Sequence, residues 1–149
     1  MRHLSFIFCL GIVALMSFTP AEEFCKRQGI KGYVKLVRGN QMPSPDRPAI
    51  EPPGFKTTLY IYELTNTSQV TAQGAFYQDI ATKLIRQVQT DDKGYFKVKL
   101  KPGTYSLFVK KDNLFYSNIF DEKNNIHPVV VKKGEWTEEI FRADYDAAY

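Results

Sequence analysis

The chain has 149 residues, 44% apolar and 24% charged, which is enough for one folded domain and too rich in large apolar side chains for a disordered one. Its 20 basic and 16 acidic side chains are interspersed with no long basic run, a pattern that argues against a nucleic-acid binder. Two Cys and two His are too few for a disulfide scaffold or a structural zinc cluster.

The N-terminus reads Met1-Arg2-His3 and then runs apolar from Leu4 to Phe18, with small residues at Thr19 and Ala21. A basic start, a short apolar core and a small-residue cut site predict a signal peptide over residues 1–21. The apolar stretch of about 15 residues is shorter than the roughly 20 that a membrane span needs. No span is therefore expected after cleavage; an uncleaved anchor is the alternative. Residues 22–149 then form one secreted or periplasmic domain. Cys9 leaves with the signal, and Cys25 remains as a free thiol or an intermolecular link.

Past the signal, the chain reads as strands and turns. Gly29 to Val37 is a first strand, with Ile30, Gly32, Val34 and Leu36 on one face. Residues 39–55 hold five of the eight prolines and predict an extended surface loop, either functional or decorative. Thr57 to Leu64 is a strand apolar on both faces, hence central or covered. Asn66 to Ala81 has no clean period, and its Asn66-Thr67-Ser68 sequon reads as chance. Thr82 to Gln89 is a strand, and Asp91-Asp92-Lys93-Gly94 a tight turn with Gly94 at positive φ. Tyr95 to Leu100 and Thr104 to Lys110 alternate; Phe96, Val98, Leu100, Tyr105, Leu107 and Val109 are expected in one core. Leu114 to Phe120 is apolar and aromatic, Asp121 to Asn125 a polar turn, Pro128 to Val131 a short strand and Trp136 to Tyr145 the last one. No segment after the signal has a helical period. The expected fold is all-β, an antiparallel sandwich of seven to eight strands.

Residues Val88 to Val109, VQTDDKGYFKVKLKPGTYSLFV, resemble the core signature of carboxypeptidase regulatory-like domains: a strand ending in Thr-Asp, a Gly turn, an alternating strand, Pro-Gly and Tyr-x-Leu-x-Val. Gly29 to Val34 is similar to the family's first strand. The resemblance implies a transthyretin-like (prealbumin-like) β-sandwich over residues 22–149. Its residues are structural, so it identifies a fold rather than a chemistry.

Catalytic constellations are missing from the sequence. After the signal, His127 is the sole histidine, so no His-x-x-Glu zinc site can be assembled. Beside a turn it reads as a surface residue. No Gly-x-Ser-x-Gly elbow or Gly-rich phosphate loop occurs. Asp121 to Asn125 offers oxygens but lacks the Gly and terminal Glu of a calcium loop. No cofactor or metal is expected, and no enzymatic activity.

The candidate binding residues are the aromatics Phe115, Tyr116, Phe120 and Trp136, near turns late in the chain, which either stack on a ligand or fill the end of the core. Lys97, Lys99 and Lys101, with Lys110 and Lys111 beyond, read as a solvated sheet face. The expectation is a secreted, non-catalytic module with a structural or protein-binding role at a bacterial cell envelope. A carbohydrate-binding module is the alternative. The partner is an unidentified protein or glycan.

Overall fold

A computed structural model describes residues 27–42 and 51–148. The expected signal peptide, Cys25 and the proline-richest part of the long loop lie outside these residues. Ten strands follow in chain order: β1 (Gly29–Asn40), β2 (Thr58–Glu63), β3 (Thr71–Gln73), β4 (Phe76–Gln78), β5 (Leu84–Gln89), β6 (Tyr95–Lys99), β7 (Gly103–Lys111), β8 (Leu114–Tyr116), β9 (Pro128–Val131) and β10 (Trp136–Ala148). Seven of them fall where the sequence places strands, and β8 lies in the segment read only as apolar and aromatic. The other two, β3 and β4, make a hairpin inside Asn66–Ala81, preceded by a single 3₁₀ turn at Thr67–Gln69. There is no α-helix among the described residues.

The strands form two sheets, as an all-β sandwich requires. The small sheet has the order β10-β1-β6, and the large one β3-β4-β8-β7-β2-β5, with β9 also paired to β7. Strands β8 and β9 lie end to end along one edge of β7, and β2 occupies its other edge. Every pairing is antiparallel except one: β1 and β10 run parallel, from Gly29 opposite Trp136 to Asn40 opposite Ala148.

Alternation along the strands builds the core between the sheets. Ile30, Val34, Leu59, Ile61, Leu107, Val109 and Phe141 are fully buried there, with Phe96 and Leu100 almost so. Each such side chain contributes about 1.5–3 kcal/mol relative to exposure. A second cluster lies on the outer face of the large sheet, where Tyr62, Tyr77, Phe108 and Ile126 are buried with Tyr60, Ile80, Leu84 and Phe115 against them. The single core expected from the sequence is therefore two. Strand β7 is central, and from Tyr105 to Val109 both of its faces are buried. Alternation cannot reveal this, because Ser106 and Phe108 lie on the face that a half-buried strand would expose.

Three local devices fix the corners. Asp91 Oδ1 accepts from the Lys93 and Tyr95 amides at 2.9 and 2.8 Å, so the turn between β5 and β6 is held by its own side chain. Gly94 closes that turn at φ 77°, and a Cβ there would lie 2.2 Å from the Val34 carbonyl oxygen. Thr90 is buried, and its hydroxyl accepts from the Thr57 amide (2.8 Å) and reaches the Phe55 and Thr57 carbonyls (3.0 and 3.1 Å). The returning end of the long loop is thereby stapled to the β5–β6 corner. That return continues the β1 ladder where β6 stops: the Leu36 amide donates to Pro53 O and the Phe55 amide to Val34 O. Tyr105 donates its hydroxyl to Lys101 O at 2.9 Å, the geometry of a tyrosine corner.

Candidate binding face

The four aromatics singled out from the sequence do not gather, and no ring contact joins any two of them. Phe115 and Tyr116 are neighbours on β8 and point to opposite faces of the large sheet. Phe115 enters the outer cluster, edge-on to Tyr60 and Tyr62, with Lys110 Nζ 4.6 Å from its centroid. Tyr116 is 3% exposed in the main core and donates its hydroxyl to Asp144. Phe120 is exposed beside an isolated bridge to Ile126. Only Trp136 stands on an open sheet surface, half-buried at the start of β10.

That surface is the outer face of the small sheet, and register builds it in rows. The alternate residues of β1 that do not enter the core are Lys31, Tyr33 and Lys35. Pairing sets Tyr33 opposite Ile140 of β10 on one side and Tyr95 of β6 on the other. Tyr33 and Ile140 are 43% and 53% exposed, and the Tyr33 and Tyr95 rings meet at 5.3 Å with a 59° tilt. The row before it carries Glu138, Lys31 and Lys97, and Arg142 and Lys35 stand opposite one another in the row beyond. Successive rows lie roughly 7 Å apart. At the near end, Trp136 lies down over Gly29. A Cβ on Gly29 would sit 2.9 Å from the indole and 2.0 Å from Val98 O, so only glycine admits this approach. Lys97 Nζ lies over the indole at 4.5 Å from its centroid, a cation–π contact.

The electrostatics are lopsided. Lys31 pairs with Glu138 at 2.8 Å, and their hydrogen bond raises the lysine's pKa and lowers the carboxyl's. Lys35 pairs with Glu51, whose carboxyl is held low by that hydrogen bond and charge. Lys97, Lys99 and Arg142 form no ion pair with a carboxylate among the described residues. The face thus has an apolar row flanked by surplus positive charge. Tyr33, Tyr95, Ile140 and Arg142 were not picked out from the sequence. The visible signal was the parity of Tyr33 against the core residues of β1, but the row exists only once β10 is paired in parallel.

His127 is a correction. It is 3% exposed rather than on the surface. At φ +40° it turns the chain into β9, and its ring stacks on Phe141 of β10 at 4.8 Å and 5°. Nε2 meets Glu139 Oε1 at 2.9 Å and Nδ1 meets Ser117 Oγ at 3.3 Å. A serine, an imidazole and a carboxylate in line have the form of an activated nucleophile. The Ser117 residue, however, is 0% exposed, so no substrate carbonyl can reach its oxygen. The arrangement instead ties the large sheet, through Ser117 and His127, to β10 of the small one.

The remaining polar groups are committed to structure. Asp121 accepts from the Lys123 and Asn125 amides and from the Asn125 side chain, which depress its pKa and occupy the oxygens a calcium ion would need. Asn66 caps the 3₁₀ turn by accepting from Ser68, and its Nδ2 donates to Lys123 O at 2.7 Å. Its amide nitrogen is thus engaged within the fold. No group of three or more His, Cys, Asp or Glu among the described residues is placed to hold a metal ion. No helix among them is long and apolar enough to cross a membrane. Comparison with known protein families, with curated proteins and with solved structures finds no match to the chain.

Proposed function

We propose that the protein is a non-catalytic, carbohydrate-binding module of the extracytoplasmic space, working through the outer face of the small sheet. The observation that carries this reading is the Ile140–Tyr33–Tyr95 row, in which Ile140 and Tyr33 are exposed and Tyr95 half-buried at the centre of an otherwise regular sheet. Two tilted tyrosine rings offer a shallow notch to the non-planar, C–H-rich face of a sugar, and Lys97 and Arg142 stand beside it as hydrogen-bond donors. The apolar N-terminal segment supports export. The likeness of Val88–Val109 to carboxypeptidase regulatory-like domains supports a β-sandwich module rather than a catalytic domain. A second reading, docking to an envelope protein, is favoured by Ile140, because an exposed aliphatic chain beside tyrosines and an arginine suits a protein contact.

Trp136 is the only tryptophan, so its emission reports on this face alone. Titration of the purified protein with soluble neutral and acidic polysaccharides is expected to give a saturable spectral shift. The shift is expected to vanish in Tyr33→Ala while the circular-dichroism spectrum stays unchanged. A flat titration against every polysaccharide would leave protein docking as the function.

A further inference from the structure

The structure assigns this face to an acidic polysaccharide, a linear polymer that carries both sugar rings and repeated carboxylates; this rests on the carbohydrate-binding reading above. Three observations converge on it. The first is charge. Of the cations on the face, Lys31 and Lys35 are balanced by Glu138 and Glu51, whereas Lys97, Lys99 and Arg142 have no carboxylate partner among the described residues. A neutral glycan could accept hydrogen bonds from them but would leave their charge uncompensated. A second copy of this chain is disfavoured, because two copies meeting face to face would set cations against cations.

The second is arrangement. Along the strands the outward rows are Trp136 and Lys99 about Gly29, then Glu138, Lys31 and Lys97, then Ile140, Tyr33 and Tyr95, then Arg142 and Lys35, so the tyrosine row has cations in the rows on both sides of it. A polymer that presents a ring face with charges on either side of it suits a tyrosine row with cations roughly 7 Å to each side.

The third is the state of Trp136. Its ring packs close to Gly29 and carries the Lys97 ammonium over it. A planar base would have to displace that ammonium to stack on the face it covers, which disfavours a single-stranded nucleic acid, whose binding relies on stacking platforms. A carboxylate, by contrast, draws Lys97 off the ring into an ion pair. The exchange replaces an exposed cation–π contact with a charge-assisted hydrogen bond and changes the indole's surroundings.

The test compares polygalacturonate with the same polymer fully methyl-esterified, which keeps the rings and removes the charge. Dextran and single-stranded poly-dT are run beside them, with Trp136 emission as the readout. Polygalacturonate is expected to shift the emission and to bind at least about tenfold more tightly than its methyl ester, with the preference shrinking at high salt. Lys99→Glu and Arg142→Glu are each expected to weaken binding by about tenfold, and Lys132→Glu, in the β9–β10 turn, by less than about twofold. Equal binding of the ester and the acid would overturn the acidic-ligand inference while leaving the carbohydrate reading in place. Binding of none of the polysaccharides would overturn both. Poly-dT binding that is as tight and equally lost in Tyr33→Ala would reassign the face to nucleic acid. A loss on Lys132→Glu as large as on Arg142→Glu would reduce the effect to net charge and overturn the inference.

Discussion

Tyr77 and His127 show how differently two buried polar side chains can be treated. The Tyr77 hydroxyl sits inside the outer cluster with no hydrogen-bond partner. Burial pushes its pKa up to about 12. In the unfolded chain a tyrosine ionises near pH 10, so the unfolded state releases this proton first. The stability it shapes is whole below about pH 10 and falls as the pH rises toward 12. Tyr77→Phe removes an unsatisfied group and is expected to raise stability at neutral pH by about 1 kcal/mol, read from the urea midpoint. The same change should make the alkaline loss shallower without abolishing it, since Tyr62, Tyr105 and Tyr145 are shifted in the same direction by burial. A destabilised Tyr77→Phe would mean that the hydroxyl has a partner. His127, by contrast, is fully partnered. His127→Ala would leave a cavity against Phe141 and strip Glu139 and Ser117 of their partner, at a cost of about 3 kcal/mol in urea unfolding. A cost below about 1 kcal/mol would show that the imidazole does not join the sheets.

At the level of elements, corners matter more than strand propensities. Thr90 closes the β5 end and holds the returning loop with one hydroxyl. Thr90→Val keeps the shape and removes the hydrogen bonds, leaving the Thr57 amide unpaired. The expected loss is about 2 kcal/mol, together with faster proteolysis between Glu51 and Thr57. Unchanged cleavage there would show that the ladder to β1 alone secures the return. The seven longer strands and the Asp91–Gly94 turn were legible because alternation and turn chemistry are local signals. The β3–β4 hairpin was not, since two three-residue strands are too short to display a period. The burial of Phe108 was also hidden, because what covers the outer face of β7 is a crossover from distant sequence. His127 was misplaced for the same reason: a position next to a turn predicts exposure, and only the approach of Phe141 and Glu139 from β10 encloses it. Of the candidate site, Trp136 was visible as an aromatic near a turn, but its companions Tyr33 and Ile140 belong to strands more than a hundred residues apart.

Across the whole molecule, two sheets divide the labour. The large one carries both apolar clusters and the buried polar contacts. The small one supplies half of the main core and leaves its outer side, with tyrosines and surplus cations, to solvent. If that side is the recognition surface, loss of ligand binding in Tyr33→Ala should come with no loss of stability, because Tyr33 and its neighbours lie outside the core. The parallel pairing of β1 with β10 has a further consequence, for mechanics. The start of β1 and the end of β10 lie at opposite ends of one ladder, roughly 40 Å apart. Tension applied between Gly29 and Ala148 therefore runs along the two strands in opposite senses. It loads their backbone hydrogen bonds together, in shear, rather than peeling them open one after another. Anchored at one end of the chain and pulled from the other, the module would hold until the whole ladder slipped.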